Sequence, residues 1–503
     1  MAVTAPPRPP IGPSASELDQ AIRLYREAMP PGRLTQFDIG PLDRLGMTVE
    51  VAAFTNAEGY VNDGFGYGAT PAEAMVGALG EISETAHVDA ALRRAPVEIA
   101  TVDEMRARHG REAVLDPLTL CLPAGSDTAP GRRIAWIGVK RWGDGAPGMA
   151  PLECIATDPG QHRRRAEGLA PLFRPITCGL GAGVSLEQAL AHGVLELLQR
   201  DGNCTTFRAM DQGVEIDLDG VSDPGIAGLI ARFGRAGVSV RAKLASTEFG
   251  LTNLYVIGSD RSGGFPLIQT ACGEAVHANA ERALRKALLE FAAARCRKTF
   301  MHGPLAPIAR LAPDGYLERY RAAFDLGSEE PRALDEMLAW VGMGAPALRA
   351  LLAEHVFSER QRVRLGDLPS VSDGAVVSPR DRLADLGARL GGAGMALWYF
   401  DASPGTSGPR VIKAVVPGLE GETLSYRRLG VRGAERLLAR GVAFVSQTKT
   451  PGALRAALTT EAEARLGGPV WLDPEALDAI VGRAYPLYRE PSSHAVQFAL
   501  EER

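Results

Sequence analysis

The chain has 503 residues, 46% of them hydrophobic, with a formal net charge of −5. This is enough apolar material for one large domain or two closely joined ones, rather than three independent units. Mild acidity without a long basic run excludes nucleic acid as the main partner. No apolar run reaches the length of a membrane span, and six scattered cysteines without a Cys-x-x-Cys pair exclude a zinc ribbon or a disulfide framework.

The opening stretch MAVTAPPRPPIGPSA lacks a charged-then-apolar signal pattern, so the chain reads as cytoplasmic and reduced. Its first 13 residues are proline-rich and read as disordered. SASELDQAIRLYREAM (14–29) predicts a helix capped by Ser14 or Ser16 and stopped by Pro30, Pro31 and Gly32. MTVEVAAF (47–54) reads as a strand alternating between inside and outside. In residues 64–85 a glycine turn (Gly64, Gly66, Gly68) leads to a cap at Thr70, Pro71 at the first helical position, and a helix with Glu81 and Glu84 on one face. An exposed connection (95–132) and the strand RIAWIGVKRW (133–142) follow. Arg163, Arg164 and Arg165 read as a solvated face rather than a phosphate site.

Residues 176–208 form the central unit. Gly179, Gly181 and Gly183 make a glycine turn, Ser185 is the cap, and the following helix carries Glu196, Gln199, Arg200 and Asp201. Strands at 238–246, 251–260 and 265–273 form an antiparallel group. They lead through Gly273 and His277 into a third helix, with Lys286 and Glu290 four apart on one face. Residues 304–380 look different and read as a helical insertion or lid. The alternation resumes with a helix at 381–390 and strands at 395–402 and 409–418. Strands and helices alternate throughout, which predicts an α/β or α+β layered-sheet fold.

A glycine turn at a helix N-terminus offers backbone N–H groups and the positive end of the helix dipole, which suits phosphate. Grouped carboxylates are costly unless a divalent cation neutralises them. Three such units point to a nucleotide–metal site. For any one pair alone, ordinary solvated glutamates on an amphipathic helix would be the simpler explanation. Single histidines on helices (His87, His192) read as packed residues, with His277 beside a glycine turn closer to the chemistry. Cys178 sits before the glycine turn and reads as a small buried residue.

Four stretches, in order, resemble the YcaO-domain family over about residues 33–430: RLTQFDIGPLDRLGMTVEV; GYGATPAEAMVGALGEISE; CGLGAGVSLEQALAHGVLELLQRD; and ACGEAVH with ALRKALLE, followed further on by VVPGLEGE. The resemblance implies helices packed on mixed or antiparallel sheets. It implies a site for ATP and Mg²⁺ and activation of a peptide or protein backbone amide by phosphorylation of its oxygen. The product is then an azoline or, with sulfide, a thioamide. Carried over position by position, Glu81, Glu84, Glu196 and Glu290 are the expected metal positions. With Gly181, Gly183, Gln199, Arg200 and Lys286 they make up the expected nucleotide site. No residue is assigned as catalytic.

The sequence departs from the family pattern in several places. Gln199 stands where many members have glutamate, and Lys286 stands for arginine, losing the bidentate fork. Tyr67 replaces a lysine, Gly77 a serine, Thr85 an arginine and Cys178 an asparagine. These losses motivate an alternative in which the chain is a scaffold that binds peptide or partner protein without catalysis. A third, weaker reading is ligase or kinase chemistry on a small molecule. The expected organisation is an N-terminal segment and helix (1–32), a YcaO-like domain (33–430) with its insertion, and a C-terminal extension (431–503). Expected partners are the peptide or protein substrate, a separate protein for leader binding or sulfur delivery, and a second copy of the chain as a homodimer. The end FALEER is not proline-rich, unlike the tails of many azoline-forming members, which tilts the reading toward thioamidation.

Overall fold

The computed structural model describes residues 14–59, 61–206, 210–260, 264–353, 355–371, 378–421 and 426–502. The proline-rich segment 1–13 lies outside the described residues. Helix α1 (Ala15–Ala28) starts at Ser14, whose capping box with Glu17 settles which serine is the cap.

Three main sheets build the frame. The first is antiparallel: β1 (Gly32–Asp38), β2 (Val49–Asn56) and β3 (Val61–Tyr67), with β2 in the middle. The expected in-and-out alternation of β2 does not hold, because Val49 to Phe54 are all buried. Helix α2 (Pro71–Leu92) covers one face of the sheet, where Ala52 and Phe54 meet Ala78 and Ile82. On the other face Val49, Val51 and Ala53 pack near Phe300 and Tyr316. A strand sandwiched between two layers has no solvent side, so the period-two signal fades.

The second sheet holds β4 (Val97–Ala100), β5 (Ile134–Arg141), β6 (Pro147–Pro151), β7 (Leu180–Gly183), β13 (Trp398–Asp401) and β14 (Arg410–Val415). The order is β4-β5-β13-β14-β7, with β6 paired to β5. The third holds β8 (Val214–Asp217), β9 (Val238–Ser246), β10 (Thr252–Asp260), β11 (Cys272–His277) and β12 (Gln361–Arg364), in the order β11-β10-β9-β8-β12. It is antiparallel except for β8 and β12. The strand expected at 265–273 is corrected: Pro266–Thr270 form a 3₁₀ turn, and pairing begins at Cys272 opposite Ile257. Pro266 has no N–H to give a ladder.

Strands β3, β7 and β11 are each an edge of their sheet, and each feeds a long helix. These are α2, α3 (Leu186–Asn203) and α4 (Ala280–His302), capped by Thr70, Ser185 and Asn279. Most of the glycines read as turns, Gly64, Gly66, Gly181, Gly183 and Gly273, lie inside these strands, while Gly68 and Gly179 flank them. A Cβ on Gly66 would meet Ala74 O at 1.8 Å, one on Gly181 would meet Ala189 O at 2.1 Å, and one on Gly273 would meet Ala287 O at 2.0 Å. Glycine is required there because helix backbone lies directly on strand backbone. The same device in three units sets three helices close to three sheet edges.

A buried charge cluster fixes α4 to the other layers. Arg295 donates to both oxygens of Asp43 at 2.8 Å and to Asp260 at 2.8 Å, and Arg44 also pairs with Asp260. The motif Leu42-Asp43-Arg44 thus ties the loop after β1 to the end of β10. Arg164 pairs with Asp89 at 2.6 Å and Arg165 donates to Ala95 O, so the basic run holds α2.

The stretch read as an insertion or lid is built into the core. Leu334, Met337, Trp340 and Leu352 share one hydrophobic cluster with Ile257 of β10 and with Val481, Tyr485 and Val496 near the C-terminus. Trp340 Nε1 donates to Arg483 O at 2.8 Å. Among the described residues, no helix is long and apolar enough to cross a membrane.

Candidate active site

The three long helices each turn acids toward a common recess. From α2 come Glu81 and Glu84. Glu81 accepts the Phe65 N–H of β3 at 2.6 Å. It touches solvent while protein closes in on most sides of it. Burial pushes its carboxyl up to about 7, against the Phe65 N–H and Arg297, with Glu196 and Asp63 adding to the rise. Glu84 is pushed well above the usual carboxylate range by burial and then by Glu196 and Glu81. The Ala182 N–H of β7 and Lys413 work the other way. Glu81, Glu84 and Glu196 therefore form one mutually repelling group.

Helix α3 supplies Glu196, Gln199 and Arg200. Glu196 accepts the Gly179 N–H at 3.0 Å and lies 3.6 Å from Arg200. Gln199 and Arg200 turn toward Glu274 of β11, at 3.3 and 3.2 Å, and Asn203 joins them at 2.8 Å. Helix α4 supplies Lys286, which is exposed, and Glu290. Glu290 accepts the Tyr67 hydroxyl at 2.8 Å. Its carboxyl is raised by burial, partly offset by Lys286, with Glu274 adding to the rise. Tyr67, where the family has lysine, thus meets the acid of another helix. Gly181 and Gly183 line β7 under the first turns of α3, where their role in the structure is close approach.

The remaining singled-out side chains sort by geometry. His87 lies buried inside α2, where burial pushes its imidazole down to about 4. His277 Nδ1 accepts the Asn279 N–H at 2.8 Å, a local turn at the start of α4. His192 stands at the recess, with Nε2 3.9 Å from Glu84.

Sequence reasoning missed four residues here: Asn203, Glu274, Arg297 and Lys413. Lys413 of β14 is only 2% exposed and donates to Ile176 O at 2.5 Å. Burial pushes its ammonium down to about 8, opposed by Cys178, Glu196, Cys154 and Glu84. It is a cation set beneath the acid group, and Cys178 lies beside it. The available signal was a charged residue inside an otherwise apolar strand, as in VIKAVV and CGEAVH.

Among the described residues, no three acidic, histidine or cysteine side chains converge as a ready-made metal cage. Mg²⁺ in phosphate sites takes one or two carboxylates and completes its shell with phosphate oxygens and water. The hard oxygen donors Glu81, Glu84 and Glu196 fit that role. The raised carboxyls of Glu81 and Glu84 mark negative charge that a cation would offset.

Comparison with known proteins identifies the family. The sequence model of a family described as YcaO cyclodehydratase, ATP- and Mg²⁺-binding, matches residues 65–420. An uncharacterized protein of Methanothermobacter thermautotrophicus is 27% identical over 398 residues, covering 78% of this chain and 91% of its own. Among solved structures, a YcaO protein of Methanopyrus kandleri bound with AMPPCP and Mg²⁺ matches with a TM-score of 0.56 at 18% identity, covering 82% of this chain and 93% of that one. A heterocyclase in complex with substrate and cofactor also gives 0.56, at 14% identity, covering 81% of this chain and 53% of its own. At these identities the structures speak for the fold, an α+β arrangement of helices on mixed and antiparallel sheets. The family match covers well over half of the chain and includes all three acid-bearing helices. The chain belongs to the YcaO family of ATP- and Mg²⁺-binding enzymes.

Proposed function

We propose that the protein activates a backbone amide of a peptide or protein by ATP- and Mg²⁺-dependent phosphorylation of the amide oxygen. The observation that carries this reading is the mutual repulsion of Glu81, Glu84 and Glu196, brought near one another from two helices, with Glu290 raised by burial on a third. When bound, Mg²⁺–ATP supplies the phosphoryl group that turns a poor leaving oxygen into a good one. Glu81, Glu84 and Glu196 hold the metal side of the site. Arg200 and Lys286 put positive charge near the phosphates. Lys413 holds its charge below the acids, where it limits their mutual repulsion.

A nucleophile then adds to the amide carbon and phosphate leaves with the former amide oxygen. External sulfide gives a thioamide, and an adjacent cysteine, serine or threonine side chain gives an azoline. Both branches start from the same activated amide and differ only in the nucleophile. A separate protein presents the peptide or delivers sulfur in this reading. The heterocyclase of similar fold, solved with substrate and cofactor, supports a substrate-bearing site.

One observation favours a second reading, a scaffold that binds peptide without turnover: Tyr67 occupies Glu290 where the family has lysine. The two separate in one experiment. In the enzyme, Glu84→Gln and Glu196→Gln each abolish ATP hydrolysis and leave the circular dichroism spectrum unchanged. Equal turnover in wild type and both variants would remove the site assignment, and no turnover in wild type at any Mg²⁺–ATP concentration would favour the scaffold.

A further inference from the structure

We propose that a cleft on the back of α2 is a docking site for a peptide segment that offers an apolar side chain, a main-chain carbonyl and no carboxylate. The choice of a peptide among such amides rests on the function proposed above, while the cleft itself stands apart from the acid recess. Successive residues of a helix turn by about 100°. Ala86 and Ala90 therefore leave α2 on the side away from Glu84, and there they border a cavity of about 210 Å³.

One part of its wall is apolar. Phe54 of β2, Ala86, Ala90 and the two prolines after α1, Pro30 and Pro31, line it. Pro31, Ala57 and Glu58 at the rim are exposed, so a guest enters from solvent. Pockets for whole small molecules run to roughly 300–1,000 Å³. This one takes a single side chain with its peptide unit.

The other part holds a donor group without an acceptor. Gln161, from the short helix Pro159–Arg165, lines the cavity and is only 4% exposed. Its Oε1 accepts the Thr157 N–H at 2.8 Å and the Thr157 hydroxyl at 3.2 Å. A backbone N–H only donates, which fixes the orientation of the side-chain amide. Its Nε2 then has no acceptor among the described residues and is left to the cavity. A buried amide with unused N–H groups is costly unless a guest accepts from it.

Charge selects the acceptor. Glu58, Asp89 and Asp158 line the cavity with Arg93. Arg93 pairs with Glu58 at 2.9 Å and Asp89 at 2.8 Å, and Arg164 reaches Asp89 at 2.6 Å. Asp158 accepts the Gln161 backbone N–H at 3.0 Å and makes no ion pair among the described residues. Three acids against two arginines disfavour a carboxylate or a phosphate and admit a neutral carbonyl. In a peptide, one carbonyl meets Gln161, the apolar side chain beside it covers Phe54 and Ala90, and a basic neighbour faces Asp158.

The test is saturation-transfer NMR on the purified chain without nucleotide, with acetyl-Leu-Lys-amide and acetyl-Leu-Glu-amide as probes. Wild type binds the lysine probe about fivefold or more tighter than the glutamate probe. Ala90→Leu fills the cavity with its own side chain. Gln161→Glu turns the donors into an acceptor and keeps an oxygen for Thr157. Each weakens the lysine probe by about tenfold. Ala90→Leu adds carbon to existing space and melts no lower than wild type, so it decides the matter even if Gln161→Glu does not fold. No binding of either probe to wild type, equal binding of the two, or unchanged binding in Ala90→Leu overturns the proposal. Mg²⁺–ATP is titrated separately. Wild type that binds the lysine probe but no nucleotide removes the ATP-dependent reading and leaves the docking site, and the reverse pattern removes the docking site alone.

Discussion

Gly181→Ala is the sharpest perturbation of the frame that carries the acids. The added methyl would lie 2.1 Å from Ala189 O and 3.1 Å from Gly193 N. An ordinary carbon–oxygen contact is about 3.3 Å, so α3 must retreat by about 1.2 Å or the strand must yield by as much. Overpacking of this kind costs about 1–3 kcal/mol. Taking ~2 kcal/mol, and ~2 °C per kcal/mol for a large domain, the melting temperature falls by about 4 °C. The retreat also stretches the 3.0 Å bond between the Gly179 N–H and Glu196, so Mg²⁺–ATP affinity falls with stability. Gly138→Ala is the control. It lies in β5, exposed, with nothing within 4 Å of a new Cβ, and should be neutral or stabilising by up to about 1 kcal/mol. Differential scanning fluorimetry and nucleotide titration read both variants. Melting and affinity in Gly181→Ala equal to wild type would refute the close-approach argument, and with it the parallel expectation for Gly66→Ala and Gly273→Ala.

Three further outcomes follow from the charges. Arg295→Met leaves Asp43 buried without its guanidinium and Asp260 with Arg44 still beside it, and should cost about 3 kcal/mol, read as a lower urea midpoint. Glu84→Gln removes a carboxylate that its neighbours crowd, so the unliganded variant should melt above wild type and gain nothing from Mg²⁺–ATP. Glu81, pushed up to about 7, is about half protonated at neutral pH, and a bound cation ionises it. Binding of Mg²⁺–ATP at pH 7 therefore releases about half a proton from this group, seen as a dependence of the heat on buffer ionisation, and affinity rises with pH through 7. The sign for stability is opposite. A carboxyl raised in the folded state favours folding below its unfolded pKa, and that contribution is lost as pH rises through about 7. The unliganded protein should melt lower at pH 8 than at pH 6 on this account, and Glu81→Gln should flatten the difference.

Much of this site was legible because its chemistry is local in the chain. The caps Thr70 and Ser185, Pro71, and the carboxylate pairs at helical spacing all lie where the pattern put them. The glycines were read as turns although the spacing of two at 64 and 66, and again at 181 and 183, places each pair on one face of a strand. What that face meets is helix backbone, which residue type alone does not reveal. β2 hid its burial because both faces are covered. Glu274 and Lys413 escaped notice because their partners are distant: Glu274 meets Arg200 across 74 residues, and Lys413 meets Ile176 across 237. The helices of 304–380 looked foreign because their apolar faces are completed by residues near the C-terminus and by β10.

The central claim is that three helices form a working Mg²⁺–ATP site. Its most direct test is calorimetric titration of the purified protein with Mg²⁺–ATP beside the Glu196→Gln variant. The account predicts saturable binding with Kd in the micromolar range, about −8 kcal/mol or somewhat weaker, that disappears in the variant and on removal of Mg²⁺. Equal binding in wild type and variant, or none in wild type at millimolar nucleotide, would contradict it.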